Sequence, residues 1–285
     1  MDNTRDTLPL ITIIISTKNE EKNIENCLRS IKSQDYPEKR YEIILVDNFS
    51  QDKTIAIAQK YTENIFSQGP ERSTQRNFGF KKAKGDYILF LDADMMLSEN
   101  VLSTCVKKIQ MEPELIALYI AEIVVGNSYF HRVRNFERSF YDATVIDCVR
   151  FIKSKVCLDI GGFDENLTSA EDWDFDKRIR MKGLVGHIAS AIFHNEAEMD
   201  LKKYLRKKHL YGDGMSKYIA KWGTKDSDVR KQFGMLYRFV VVFVEDKKYK
   251  NLLKHPLLSF SMIGIKVLIG IQYITQRVTK RIIDS

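Results

Sequence analysis

Apolar and polar positions alternate in blocks along the first two-thirds of the chain. Leu10–Ser16 is a continuous apolar run rich in isoleucine, the pattern of a strand covered on both faces. Glu20–Gln34 then sets Ile24, Cys27, Leu28 and Ile31 at helical spacing, which predicts a helix with one buried stripe. Tyr41–Val46 reads as a second strand, Asp52–Tyr61 as a helix, Gly69–Ala83 as a loop and helix, and Tyr87–Leu91 as a third strand. This rhythm predicts a parallel sheet with right-handed crossovers. Ligands of such sheets sit beyond the carboxyl ends of the strands.

Beyond residue 98 the pattern is less regular. Glu99–Met111 reads as a helix, Leu115–Val125 as a strand, Phe136–Tyr141 as helical and Val145–Ile152 as a strand. Gly161-Gly162-Phe163 marks a turn, Glu171–Met181 a helix and Leu184–Phe193 a last strand. From Asp200 onward the chain is helical and basic. No internal repeat or low-complexity linker interrupts it.

Composition adds little until it is divided. The 285 residues are 44% hydrophobic and 29% charged, which excludes disordered and collagen-like classes. The net charge of +7 splits unevenly: residues 1–199 carry 26 basic and 31 acidic side chains, residues 200–285 carry 19 and 7. An acidic-to-neutral body with a basic tail is expected to meet a polyanion or an anionic membrane. Cys27, Cys105, Cys148 and Cys157 form no C-x-x-C pair and read as reduced, buried thiols, as in a cytosolic protein. Met1–Pro9 is polar, so no secretory signal is expected there.

Polar clusters close the strands: Ser16-Thr17-Lys18-Asn19-Glu20, Asp47-Asn48-Phe49-Ser50 with Asp52, and Asp92-Ala93-Asp94; Glu171-Asp172-Trp173 follows later. Thr17, Asn19 and Asp52 are also suited to cap helices, and Glu171, Asp172 and Asp174 suit a first helical turn. Asp92-Ala93-Asp94 carries more chemistry. Two carboxylates at a sheet edge repel one another, and a divalent cation such as Mg²⁺ or Mn²⁺ relieves that repulsion while keeping positions open for phosphate.

The ordered series S-T-K-N-E, V-D-N-F-S-x-D, Q-R-N-x-G-x-x-x-A-x-G-D-Y-I-L-F-L-D-A-D, G-G-F-D-E and E-D-W-D-F, from about Leu10 to His194, resembles glycosyltransferase family 2. The resemblance implies an inverting nucleotide-sugar transferase with a GT-A fold: an α/β, Rossmann-like mixed sheet flanked by helices, here with a basic helical C-terminal extension. It implies a catalytic domain over 1–199, with nucleotide-sugar binding in 10–97 and the acceptor and catalytic half in 98–199, followed by the extension over 200–285.

The same resemblance implies that Ser16, Thr17, Lys18 and Glu20 wrap the nucleotide, and that Asp47 meets the base, uracil or guanine. Arg76 would lie near base and diphosphate, Asp92 would reach the ribose and the metal, and Asp94 would bind Mn²⁺ or Mg²⁺ directly. His194 is a candidate third ligand or a structural histidine. Asp172 matches the catalytic base. Glu171 would raise the pKa of Asp172 or hold an acceptor, Trp173 would stack on a sugar or fill the core, and Gly162 would let the backbone approach the acceptor. Lys18 stands where the family often has an aromatic residue. No Q-x-x-R-W motif follows Asp172, which implies transfer of a single sugar.

Two rival classes are weighed. A nucleotidyltransferase needs a glycine-rich loop after the first strand, and Ser16–Glu20 has no glycine. A nucleic-acid binder would suit the basic, aromatic tail, but the body is acidic and no zinc or RNP-like spacing is present.

Within the tail, Pro256–Thr275 contains Lys266 as its only charge. About 20 such residues would span a bilayer, but a central lysine costs roughly 2.5–3.5 kcal/mol on the insertion scale. Ser259, Lys266, Tyr273 and Arg277 would form one polar stripe. The open readings are an interfacial helix with that stripe on anionic headgroups, a helix packed on protein, and a spanning segment. The expected partners are a nucleotide-diphosphate sugar, a glycan or polyprenyl-linked acceptor and an anionic membrane, without nucleic acid. The expected place is the inner face of the cell membrane.

Overall fold

The computed structural model describes residues 8–210 and 215–283, and side chains for residues 8–207 and 215–272. Its strands are β1 (Ile11–Thr17), β2 (Tyr41–Asp47), β3 (Ile65–Ser67), β4 (Tyr87–Asp92), β5 (Met95–Leu97), β6 (Leu115–Val125), β7 (Phe151–Lys153) and β8 (Leu184–Asn195). The α-helices are α1 (Ile24–Lys32), α2 (Thr54–Ala58), α3 (Arg72–Lys82), α4 (Val101–Met111), α5 (Tyr129–Arg138), α6 (Ser154–Ile160) and α7 (Glu171–Arg180). They continue as α8 (Leu201–Leu210), α9 (Met215–Trp222), α10 (Ser227–Phe233), α11 (Val242–Val244), α12 (Tyr249–Lys254) and α13 (Pro256–Ile283), with a π-helical stretch over Tyr237–Val241.

The eight strands form one sheet in the order β3-β2-β1-β4-β7-β6-β8-β5. The first four are parallel, whereas β7 runs antiparallel to both β4 and β6, and β5 antiparallel to β8. This is the expected mixed α/β sheet of the GT-A type. All seven residues of β1 are buried, because β2 and β4 flank it and helices cover both faces. The apolar stripe of α1 is buried as its spacing predicts, through Ile24, Cys27, Leu28 and Ile31. Each fully buried aliphatic side chain of this kind stabilises the fold by about 1.5–3 kcal/mol relative to exposure. All four cysteines are buried and free, as expected.

Several boundaries differ from the pattern. The strands β3 and β5 are three residues each, too short for a periodic signal. The helix expected at Phe136–Tyr141 is α5, displaced toward the N-terminus because Ser128 and His131 form a capping box that starts it. The strand expected over Val145–Ile152 is reduced to β7. Asp147 accepts from the backbone of Ala143 and Cys148, and Asp176 from the Val149 amide, so side chains satisfy groups that a ladder would have used.

The chain divides into two compact units. One comprises residues 1–123 and 142–195 and contains the sheet up to Ile123. The other comprises residues 124–141 and 196–285, so α5 belongs with the C-terminal helices.

In that second unit α13 turns its polar residues the other way from an interfacial helix with that stripe on headgroups, as in the reading of a helix packed on protein. Its polar residues Ser259 and Lys266 face protein, not headgroups: both are buried. Lys266 donates to the Tyr141 hydroxyl at 2.6 Å and to the Arg238 carbonyl at 3.2 Å, and lies 3.4 Å from Glu137. Burial lowers its pKa to about 8, against the opposing pull of Glu137. Tyr273 and Arg277 lie outside the residues whose side chains are described. Among the described residues no helix is long and apolar enough to cross a membrane.

Candidate active site

The carboxyl ends of β1, β2 and β4 come together in register, with Ser16 paired to Asp92 and Thr17 to Asp47. Helix α3 crosses beneath them. Gly79 makes this approach possible, since a Cβ there would lie 2.6 Å from the Ile14 side chain. The buried amide of Gln75 donates to the carbonyls of Thr17 and Val46, locking two strand ends to the helix.

Arg76, one residue on, is 1% exposed and carries the centre of the site. Its Nη1 donates to Asp172 Oδ1 at 2.6 Å and its Nη2 to Asp92 Oδ1 at 2.8 Å. Asp92 also accepts from the Ser16 hydroxyl at 3.2 Å. Residues 76, 92 and 172 come from three separate elements, α3, β4 and α7.

The charges alternate outward from this core. Arg72, one turn before Arg76, lies 3.9 Å from Asp92 and 3.3 Å from Glu171. Arg150 lies 3.8 Å from Asp92 and 3.6 Å from Glu122. Glu122 meets His194 Nδ1 at 2.9 Å, and His194 Nε2 meets Asp94 Oδ2 at 3.2 Å. Sequence reasoning missed Arg72, Arg150 and Glu122. A charged residue inside the apolar run Leu115–Val125 was a legible signal for Glu122, as was the four-residue spacing of Arg72 and Arg76 on one helix face.

Burial alone would raise the pKa of Asp92, but Arg76, Arg72 and Arg150 hold it well below the usual carboxylate range. Asp172 is likewise lowered, because Arg76, Arg150 and Arg72 outweigh its desolvation. Its neighbour Glu171 goes the other way: burial and the Asp172 charge push it up to about 7. Within the pair the arginines leave Asp172 the more acidic group, while burial leaves Glu171 the less acidic one. A carboxyl whose folded pKa lies above its unfolded value stabilises the fold at low pH, and that contribution is lost as pH rises from 4.5 to about 7. Glu171→Gln should therefore flatten the fall in denaturant stability between pH 5 and pH 7.5; an unchanged profile would show that Glu171 is ionised throughout.

Residues proposed around a nucleotide occupy the same end of the sheet. Asp47 is buried and accepts from both the backbone amide and hydroxyl of Ser50, shaping the loop after β2. The Glu20 amide donates to Thr54, and its carboxyl, raised by burial, accepts from Asn23. Lys18 is exposed. Thr17 Oγ1 is buried without a hydrogen-bond partner.

The residues expected on the acceptor side are set by packing. Gly161 ends α6 with a left-handed φ of 72°, and Gly162 follows at 73°. A Cβ on Gly162 would lie 2.4 Å from Asn77 Oδ1, which accepts from the Phe163 amide while Asn77 Nδ2 donates to the Phe163 carbonyl. Backbone conformation and this clamp already require glycine at 162. Trp173 is partly buried and donates its indole N–H to the Ile146 carbonyl at 3.0 Å.

For a divalent cation, the fit is partial. Among the described residues no group of three His, Cys, Asp or Glu side chains is arranged to hold a metal. Asp92 is turned into the arginines and does not converge with Asp94 and His194. Asp94 and His194 do suit a hard cation: Asp94 Oδ1 is buried with no hydrogen-bond partner, and His194 lies beside Asp94. Burial would lower the His194 pKa, but the bonds to Asp94 and Glu122 raise it to about 10.

Comparison with known proteins gives the family and the fold. The family model described as "Glycosyl transferase family 2" matches residues 12–160. "Glycosyltransferase AglE" of Haloferax volcanii is 26% identical over 260 residues, covering 84% of this chain and 82% of that protein. A Methanococcus voltae enzyme, "Dolichyl N-acetyl-alpha-D-glucosaminyl phosphate 3-beta-D-2,3-diacetamido-2,3-dideoxy-beta-D-glucuronosyltransferase", is 26% identical and covers 74% of each chain. Among solved structures, the mannosyltransferase PcManGT from Pyrobaculum calidifontis, in complex with GDP-Man and Mn²⁺, superposes with a TM-score of 0.60 at 19% identity, covering 94% of this chain and 85% of that one. S. aureus TarS 1-349 in complex with UDP gives 0.55 at 18% identity, covering 94% and 92%.

Proposed function

The chain belongs to glycosyltransferase family 2, and from that premise we propose that it transfers one sugar, with inversion, from a UDP- or GDP-sugar to a lipid-linked or other glycan acceptor. The observation that carries this reading is the Arg76 guanidinium bridging Asp92 and Asp172. It sets a donor-side carboxylate and a base-side carboxylate around one point at the end of the sheet.

In this reading Asp172 is the general base. Its Oδ1 is committed to Arg76, and the second oxygen, Oδ2, takes the proton of the acceptor hydroxyl. The acceptor oxygen then bonds to the anomeric carbon from the face opposite the nucleotide. The anomeric C–O bond breaks, and the nucleoside diphosphate leaves with its electron pair. Arg76 lowers the Asp172 pKa and so favours the ionised form that a base needs. Glu171 and Trp173 border the acceptor, with the Gly162 turn beside them. Ser16, Thr17, Lys18, Glu20 and Asp47 surround the nucleotide, and Asp92 accepts from its ribose.

Asp94 and His194 would hold Mn²⁺ or Mg²⁺, which would supply Lewis-acid neutralisation of the departing diphosphate. As a ligand His194 would be the neutral imidazole. The complexes of PcManGT with GDP-Man and Mn²⁺ and of TarS with UDP support the donor class. The dolichyl phosphate in the name of the Methanococcus voltae relative supports a lipid-linked acceptor. Such an acceptor would place the enzyme at the cytoplasmic face of a membrane.

Donor hydrolysis measured with UDP- and GDP-sugars tests the reading. Activity should vanish in EDTA and return with Mn²⁺ or Mg²⁺. Asp94→Ala should raise the metal concentration required by about 10–100-fold. Full turnover in EDTA would remove the cation from the mechanism.

A further inference from the structure

An amphipathic helix in a water-soluble unit turns its apolar stripe inward and its polar residues outward. Helix α13 does the reverse. Its polar residues are held inside the C-terminal unit: Ser259 accepts no solvent contact of note and donates to the Leu252 and His255 carbonyls. Ser261, only partly buried, meets the hydroxyl of the exposed Tyr129 at 2.9 Å. Lys266 is ringed by Tyr141, Phe239 and Phe243. Every exposed position between Leu257 and Ile271 is apolar or glycine. Leu257 is 77% exposed, Phe260 81% and Ile271 54%, with Ile263, Val267 and Leu268 between them. Their spacing of three and four residues makes one continuous outward stripe.

This orientation is locked. Turning the stripe inward would carry Lys266 out of its aromatic ring and break its contacts with Glu137, Tyr141 and the Arg238 carbonyl. The exposed apolar surface is thus a fixed feature of the unit, and surfaces of this kind mark an interaction site.

The charge around it points to the occupant. Beside Gln272, α8 and α13 border an open cleft of about 540 Å³ lined by Leu201, Leu205, Lys202 and Arg206. Lys250 and Lys254, both exposed, precede the stripe. With 19 basic and 7 acidic residues over 200–285, two copies of this unit would repel one another, whereas an anionic lipid surface would attract it. We propose that the outward stripe of α13 lies in the plane of an anionic bilayer, with Leu257, Phe260 and Leu268 among the acyl chains and Lys202 and Arg206 on phosphate headgroups. This rests on the membrane-facing part of the functional reading and is independent of the transfer chemistry.

Flotation of the full chain with phosphatidylglycerol and phosphatidylcholine vesicles tests it, alongside donor hydrolysis in vesicle-free buffer. The wild type should float with phosphatidylglycerol and bind phosphatidylcholine more weakly. Phe260→Glu with Leu268→Glu should reduce binding roughly tenfold or more. Lys202→Glu with Arg206→Glu should reduce binding to phosphatidylglycerol by a similar factor, roughly tenfold. Both variants should hydrolyse donor at the wild-type rate, so loss of docking and loss of chemistry are read separately. A Phe260→Trp protein should be quenched by brominated phosphatidylglycerol, a readout that needs no disruptive change. Undiminished flotation of the Phe260→Glu, Leu268→Glu variant, absence of quenching, or a dimer in solution that this variant splits would each overturn the proposal.

Discussion

Asp172→Asn should lower kcat for transfer by about 10²–10⁴-fold, the range contributed by a positioned general base, with little change in donor KM. Asparagine keeps the size of the side chain and its oxygen can still accept from Arg76, so the fold and the donor pocket should survive. What is lost is the ability to take the acceptor proton. Steady-state kinetics with saturating donor and varied acceptor separate the two quantities. Since acceptor deprotonation belongs to the transition state, kcat and kcat/KM should fall together. A variant that raised only KM would assign Asp172 to binding, and Glu171 would become the residue to test as the base.

The second large effect concerns Arg76. It is among the largest fully buried side chains, and its guanidinium holds two carboxylates from different elements. Removing one partner of a buried ion pair destabilises a protein by about 3–5 kcal/mol, because the remaining charge stays desolvated. Arg76→Ala should therefore lower the denaturant midpoint by that equivalent and abolish turnover. With the guanidinium gone, the pKa values of Asp92 and Asp172 should both rise. Arg76→Lys should recover part of the stability and little of the activity, since a point charge cannot serve two carboxylates in a fixed planar fork. Equal activity in the lysine variant would show that charge alone, without geometry, is what the site requires.

The sheet and the residues at its carboxyl edge were legible because each left a local mark. Isoleucine runs recorded burial on both faces of β1, helical spacing recorded the stripe of α1, and polar clusters marked the strand ends. Three-residue strands left no mark, and the Val145–Ile152 run misled because side-chain acceptors on Asp147 and Asp176 replaced the ladder. The connecting charges were less visible. His194 was a candidate partner of Asp94 from the sequence, but Arg150 and Glu122 are far from it along the chain, and the alternation of charges around Asp92 appears only in the fold.

The tail marks the sharpest divide. The chain alone determined its charge, its helical period and the single lysine in Pro256–Thr275, since these depend on residue order only. Which way that lysine points was decided by tertiary packing. Glu137, Tyr141 and the Arg238 carbonyl, gathered from α5, the turn that follows it and the π-helical stretch, give the ammonium partners inside the unit. A helical period fixes which residues share a face, but only the partners brought by the rest of the fold choose the face that turns inward. The same reason governs the candidate site, where two adjacent carboxyls shift in opposite directions, Asp172 down beside the arginines and Glu171 up through burial.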